Sequence, residues 1–498
     1  MSDGVEAGTA VSTVRRLGQR ALSLGAANAF EFAVQFLLPV VLTRYLEPSA
    51  FGQYRLLWLA VGTVMAVAPL AMPASLYYFL PRSDGATKRL YVNQTMVFLA
   101  LAGVVSGWAV SSWNPWLPEK LRGLAGHETI VPAFVVLWVV ASLLDLLPAA
   151  EERVVWQAKA TVGLAALRAA VLSMAAVLTR ELGPVLLVLL GFVALKLALL
   201  LAYVARHHRL HGPILRWEAF ADQVRYAAPL GAAGALYGLR VQADQWIVAS
   251  LFSLGMFASF SIAALIGPLV HLFRQSVNFT FLPSMSRGQA AGDVLGMLEL
   301  NSRANVMAAS LLCPLLAFVF VFAEEIVTIV YTGAYVDAAP VMRVYIVGLA
   351  ALVIELASVT FLLRQGPFVM GVNLVALGLS LPFNWFSAQH FGLTGAAVGS
   401  VIALYLDRLV TLRRVALLTG APFRRLQDWR ALGQLTLFSA LAAAFAWGMV
   451  GRYFAARGPL IRVSVGADLL AVGYGTMHGL FAMGRGGFPA ARNPEHGL

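Results

Sequence analysis

The stretch Tyr226–Phe252, YAAPLGAAGALYGLRVQADQWIVASLF, is a nearly unbroken apolar run with Arg240 and Asp244 near its middle. As a helix it is long enough to cross the roughly 30 Å hydrocarbon layer of a bilayer. Arg240 and Asp244 stand four residues apart and so share one helix face. At that depth each opposes burial by roughly 2.5 to 3.5 kcal/mol on insertion scales, so the two must satisfy each other or face something polar. Two readings stay open: a pair that neutralises itself, and an arginine that Asp244 holds ready for a ligand. With the next apolar run, which closes on Phe281-Leu282-Pro283, the stretch makes a helical hairpin in lipid.

The rest of the chain has the same character. Of its 498 residues 60% are hydrophobic and 12% charged, far more apolar surface than one soluble core can hide. The sequence describes an all-α polytopic membrane protein. A net charge of +12 raises nucleic acid as a partner, but the basic residues sit in short loops between apolar spans and form no stripe on a soluble domain, so no nucleic-acid binding is expected. The single cysteine, Cys313, lies inside an apolar span, which excludes a disulfide within the chain and a thiolate metal cluster. Arg15, Arg16 and Arg20 precede the first span without a small-residue cleavage signature, so that span is expected to stay in the mature protein.

Apolar runs bounded by charges, Gly and Pro predict about 14 transmembrane helices. They divide into a cytoplasmic segment 1–22, a six-helix bundle 23–205, an amphipathic linker 206–226, a second six-helix bundle 227–415, a basic linker 416–432, helices 13 and 14 over 433–483, and a tail 484–498. The densest Lys and Arg clusters fall on one side of the membrane together with both termini, which the positive-inside rule makes cytoplasmic. Trp113 and Trp116 fit an outer aromatic belt, and Trp217 and Trp429 an inner one. His207, His208 and His211 cluster in the basic linker, where a charged interfacial segment explains them better than a metal.

The halves repeat. Phe51-Gly52-Gln53-Tyr54 and Phe79-Leu80-Pro81 in the first half match Leu254-Gly255-Met256-Phe257 and Phe281-Leu282-Pro283 in the second, offset by about 202 residues. An even number of spans separates the copies, so they are parallel repeats related by an axis along the membrane normal. The expected architecture is two six-helix bundles around a central cavity, with one bundle rocking against the other.

Three stretches resemble the polysaccharide transporter family of the multidrug/oligosaccharidyl-lipid/polysaccharide exporter superfamily, the Wzx-type flippases. Leu42-Thr43-Arg44-Tyr45-Leu46-Glu47-Pro48, followed by Phe51-Gly52-Gln53-Tyr54, is similar to its first outer turn, with Glu47 where that family usually has Gly. Tyr226 to Gly231 and Asp244 to Val248 resemble the start and the acidic position of its seventh helix. The most specific match is Ala323-Glu324-Glu325-Ile326-Val327 through Tyr331 and Tyr335 to Arg343, similar to the turn between helices nine and ten. The resemblance covers roughly residues 20–415. It implies a flippase that moves isoprenoid-pyrophosphate-linked oligosaccharide across the bacterial inner membrane for exopolysaccharide, capsule or O-antigen synthesis. A polysaccharide polymerase and glycosyltransferases are the implied partners beside membrane lipids, and the chain is expected to act as a monomer without cofactor. A cation-coupled multidrug exporter and a peptidoglycan lipid flippase are the alternatives, with a membrane glycan polymerase or ligase more distant.

Such a substrate asks for cationic and hydrogen-bonding groups within the spans, and arginine donates to phosphate oxygens bidentately. The candidates are Arg240, with Arg274, Arg168, Lys196, Asn278, Gln35 and Asn28. Four intramembrane acids, Asp244, Glu31, Glu355 and Asp145, are candidate coupling or ion-pair groups, and packed ion pairs explain them equally well. Interhelical hydrogen bonds are the competing reading for the neutral polar residues. No phosphate loop, His-Glu-x-x-His helix or Gly-x-Ser-x-Gly elbow occurs, and an enzyme is not expected.

Overall fold

The computed structural model describes residues 3–115, 127, 129–208 and 213–484. Trp116 and His211 lie outside these residues. The described chain is helical, without a strand, and its contacts divide it into two compact units, residues 1–258 and 259–498.

The first unit holds α1 (Asp3–Tyr45), α2 (Pro48–Val67), α3 (Met72–Phe79), α4 (Gly85–Ala109), α5 (Ile130–Ala141), α6 (Leu147–Ala150), α7 (Val154–Thr179), α8 (Leu182–His207) and α9 (Trp217–Leu251). Helix starts follow local chemistry: Pro48 opens α2, and Asp84 caps α4 by accepting from the Thr87 N–H at 2.9 Å. Helix α1 packs along α7, and α5 packs against α4 and α8. Leu42, Phe51, Leu56, Leu57, Leu76 and Leu80 are fully buried among them. The large exposed residues, such as Leu101, Val105 and Leu178, are what a lipid-facing helix surface requires.

Helix α9 runs unbroken from Trp217, so residues 217–226 of the expected linker are its first turns. Gln223 is fully buried there, donating to Ser75 Oγ at 2.8 Å and Thr95 Oγ1 at 2.9 Å and accepting from Gln94 at 2.7 Å. Further along, a Cβ at Gly231 would overlap the Leu70 backbone, so only glycine permits this approach. Thr63 of α2 then donates to Gln242 at 2.7 Å and accepts from Trp246 at 2.8 Å. These contacts make α9 part of the first unit, whereas the sequence pattern assigns it to the second bundle.

The second unit continues with α10 (Leu254–Ala264), whose first turn belongs to the first unit, and then α11 (Ile266–Ala290), α12 (Val294–Val321), α13 (Ala323–Tyr331), α14 (Ala338–Leu352), α15 (Ala357–Leu362), α16 (Gly366–Thr419), α17 (Trp429–Tyr453) and α18 (Pro459–Gly484). Helix α16 is two spans joined at Gly392, whose φ of 64° and ψ of −147° suit glycine. The α17–α18 hairpin packs on α12 and α13, where Phe322 sits among Ala442, Ala443, Ala446 and Leu470 and Arg462 pairs with Glu325.

Eleven helices among the described residues are long and apolar enough to cross a membrane. Three expected spans account for the difference from about fourteen. Helix α9 is diluted by Gly, Ala and its charges, α14 is shortened by a break after Leu352, and α16 counts once although it holds two.

Candidate functional site

Several of the intramembrane charges lie in two places, one in each unit. In the first, Arg168 stands near the middle of α7 and Lys196 near the middle of α8, each about 6% exposed. The Lys196 ammonium donates to Asp145 Oδ2 at 2.6 Å and lies 4.9 Å from the Trp138 ring centre. Asp145 ends a 3₁₀ turn, Ser142–Asp145, that interrupts the span between α5 and α6, and its side chain is half-exposed. Arg168 has no such partner among the described residues. Its Nε is buried without a hydrogen bond, and its guanidinium lies 5.9 Å from the Trp58 ring, an aromatic face rather than an anion.

An aromatic wall backs both cations. Trp58 from α2 meets Trp138 edge-on at 5.1 Å and Phe134 at 6.0 Å, and Phe134 lies 5.4 Å from Trp138. Sequence reasoning named the charges and missed the wall. Trp138 falls well inside its apolar run, away from the interfacial belts that tryptophan favours, whereas Trp58 is placed mid-helix only by the start of α2 at Pro48.

In the second unit the span of α14 breaks over 353–356. Asn305 of α12 donates to the Glu355 carbonyl at 3.2 Å and accepts from the Glu355 N–H at 3.1 Å, and Asn301 donates to the same carbonyl at 3.1 Å. Arg274 of α11, itself buried, donates to the Leu352 carbonyl at 2.5 Å. The Glu355 carboxylate accepts from the Ala357 N–H at 2.7 Å and so caps α15. His271 lies within electrostatic reach of Glu355, Arg274 and Arg408. Asn301, Asn305, His271 and Arg408 were not nominated from sequence.

The remaining candidates lie elsewhere. On α1, Gln35 donates to Glu31 at 3.4 Å, and Asn28 is exposed. Asn278 is half-buried on α11. On α9, Gly231, Gly238, Gln242 and Trp246 form the face toward α2 and α3, which puts Arg240 about 180° away at 100° per residue. Arg240 is half-buried, while Asp244 is buried and accepts from the Gln245 N–H at 2.7 Å.

At the cytoplasmic end expected for α8, His208 pairs with Glu151, which also accepts from the Tyr203 hydroxyl. Burial pushes the Glu151 carboxyl up, but the hydrogen bonds from His208 and Tyr203 outweigh it and hold the group below its ordinary value. Trp113 and Trp217 are exposed, and Trp429 stacks on Phe423 at 5.1 Å. No group of three or more His, Cys, Asp or Glu suited to a metal occurs among the described residues.

Solved structures of membrane transporters share the fold of this chain. The Lipid II flippase MurJ in an inward closed conformation superposes with a TM-score of 0.70 at 12% identity, covering 93% of this chain and 99% of that one. An inward-facing multidrug resistance MATE family transporter of the MOP superfamily gives 0.56 at 11% identity over 78% and 95%. A Vibrio cholerae MATE transporter gives 0.52 at 11% identity over 84% and 99%. No curated protein sequence matches. The family model described as "Polysaccharide biosynthesis protein" matches residues 41–340, and the chain belongs to that family. It is a multi-pass membrane protein with the fold of the MOP-superfamily flippases and exporters.

Proposed function

We propose that this protein is a flippase that carries isoprenoid-pyrophosphate-linked oligosaccharide across the bacterial inner membrane, by alternating access, in exopolysaccharide, capsule or O-antigen synthesis. The match of the polysaccharide biosynthesis family to residues 41–340 carries this reading. The fold supports it physically, since the family provides the glycan and the flippase-like architecture provides the path. Both termini lie in the cytoplasm in this reading, as the loop charges require. The sugars and pyrophosphate need polar groups within the membrane, and the isoprenoid tail can stay in lipid. Arg168 is the strongest of the nominated substrate groups because it is buried and its Nε has no hydrogen-bond partner among the described residues. Arg274 is engaged by a backbone carbonyl and Lys196 by Asp145.

Gene deletion tests the proposal through the leaflet distribution of lipid-linked sugars. Accumulation of an oligosaccharide-lipid on the inner leaflet is the expected result. Unchanged lipids with altered drug sensitivity would assign drug export instead. Arrested peptidoglycan precursor with normal glycan lipids would assign the cell-wall lipid.

A further inference from the structure

We infer that the end of α16 and the turn after it hold an anionic phospholipid of the surrounding membrane, with its headgroup on Arg413 and its acyl chains along the apolar groove beside that residue. This lipid is a resident of the bilayer and not the cargo of the proposed function.

One face of α16 makes the groove. Leu409, Arg413, Ala416 and Leu417 stand at helical spacing along it, while Leu412 and Val415 belong to the buried core of the second unit. At Gly420, with φ 66°, the chain leaves the helix and brings Pro422 and Phe423 to the same groove. Trp429 fixes Phe423 in place, stacking on its ring at 5.1 Å and donating its indole N–H to the Phe423 carbonyl at 3.0 Å. The groove measures about 640 Å³, within the roughly 300–1,000 Å³ of small-molecule sites. Leu409, Leu417 and Phe423 are exposed there, an apolar surface open to whatever surrounds the chain.

Depth identifies those surroundings. From the break at Gly392 to Arg413 the helix rises about 31 Å, close to the roughly 30 Å of the hydrocarbon layer. A span that enters near Gly392 leaves the hydrocarbon at Arg413, so Leu409 lies among acyl chains and Arg413 reaches the phosphates.

Charge selects the lipid. Residues 413–430 carry five arginines against one acid, Asp428, which is engaged in capping α17 through the Ala431 N–H at 2.9 Å. Arg414 is engaged as well, donating to Gln365 at 3.1 Å. Arg413, one residue back, is exposed and has no hydrogen bond or ion pair among the described residues. An arginine fork at headgroup depth takes a lipid phosphate bidentately, and the surplus positive charge around it favours a net-negative lipid over a zwitterion.

The test uses the purified full-length protein in detergent, with lipid retention read by native mass spectrometry. The probes are phosphatidylglycerol, phosphatidylcholine with the same acyl chains, and glycerol phosphate without chains. Wild type should hold phosphatidylglycerol about fivefold more tightly than phosphatidylcholine and should not retain glycerol phosphate. Arg413→Gln should remove that preference and leave phosphatidylcholine unchanged. Phe423→Ala should weaken both lipids alike, because it takes away groove wall and keeps the charge. Exchanging Arg424 and Arg425 together for Gln should cost less than Arg413→Gln, since neither lines the groove. Phosphatidylglycerol should raise the unfolding temperature of wild type more than that of Arg413→Gln.

Equal retention of the two lipids by wild type, or wild-type preference in Arg413→Gln, overturns the inference. So does a loss in the Arg424 and Arg425 variant as large as in Arg413→Gln, which assigns a diffuse basic surface. Retention of glycerol phosphate alone assigns a soluble phosphate instead, and displacement of phosphatidylglycerol by an equal concentration of polyprenyl diphosphate gives the groove to the cargo lipid. A lower unfolding temperature for Arg413→Gln in lipid-free detergent assigns a structural arginine. The leaflet assay is scored separately. Normal glycan lipids after gene deletion remove the flippase reading and leave the phospholipid site standing, and inner-leaflet accumulation with unaltered lipid preference in Arg413→Gln does the reverse.

Discussion

The two units break a span at matched places and put an acid at each break, yet the acids do different work. Asp145 and Glu355 stand 210 residues apart, and a left-handed residue closes each broken region, Glu152 with φ 63° and Arg364 with φ 55°. Interrupting a helix in lipid frees backbone groups that must find partners inside the protein. In the first unit the chain tightens into a 3₁₀ turn and keeps local bonds, such as Leu146 N–H to the Leu143 carbonyl at 3.2 Å. The Asp145 carboxylate is therefore spared for Lys196. In the second, Val353 and Ile354 keep local bonds to Ala350 and Ala351, Asn301, Asn305 and Arg274 bind the backbone of Leu352 and Glu355, and the Glu355 carboxylate caps the next helix. An acid at a helix break is available for side-chain or ligand chemistry only when the backbone does not need it.

The contrast makes predictions of decreasing size. Asp145→Asn leaves Lys196 buried and unpaired, and should cost about 3 kcal/mol, read as a lower thermal unfolding temperature in detergent. Adding Lys196→Met should recover most of that loss, and a double variant as unstable as the single one would break the ion-pair account. Asn305→Ala removes partners of both the Glu355 N–H and carbonyl and should cost about 2 kcal/mol in the same assay. Glu355→Ala should cost about 1 kcal/mol, the worth of a helix cap. If Glu355→Gln abolishes transport without shifting the unfolding temperature, Glu355 is a coupling group and the two acids are more alike than their contacts suggest.

The smallest effect is the pH response of Glu151. Its carboxyl is held below the ordinary value, so the stability it contributes is fully present above the unfolded carboxylate pKa of about 4.3 and is lost as pH falls through the lower folded value. Hydrogen exchange at residues 151–153 should quicken on acidification through that window. In Glu151→Gln the acid-dependent change should vanish.

Much of the fold was legible because lipid imposes it. Runs of apolar residues must be helices there, since no other open structure satisfies its backbone. The outer-turn patterns around Phe51 and Tyr331 carried the family. The breaks were less legible. The first contains no glycine, and the second contains neither glycine nor proline, so they read as uninterrupted apolar sequence. The 210-residue spacing of the two acids was the signal that was not used. Arg240 stood out in sequence for its depth and its Asp244 neighbour four residues on. Arg168 looked ordinary, because a missing partner is not a property of sequence.

The sequence by itself determined that the chain lives in a membrane, that it is helical and which family it belongs to. These follow from hydropathy and short local patterns, which depend on residues close along the chain. Only the tertiary structure decided that α9 packs with the first unit, that Lys196 pairs with Asp145 while the Arg168 Nε finds no partner among the described residues, and that Glu355 is engaged by the backbone. The physical reason is that charge compensation and backbone satisfaction inside a membrane are settled by groups distant in sequence, such as Lys196 with Asp145 and Asn305 with Glu355.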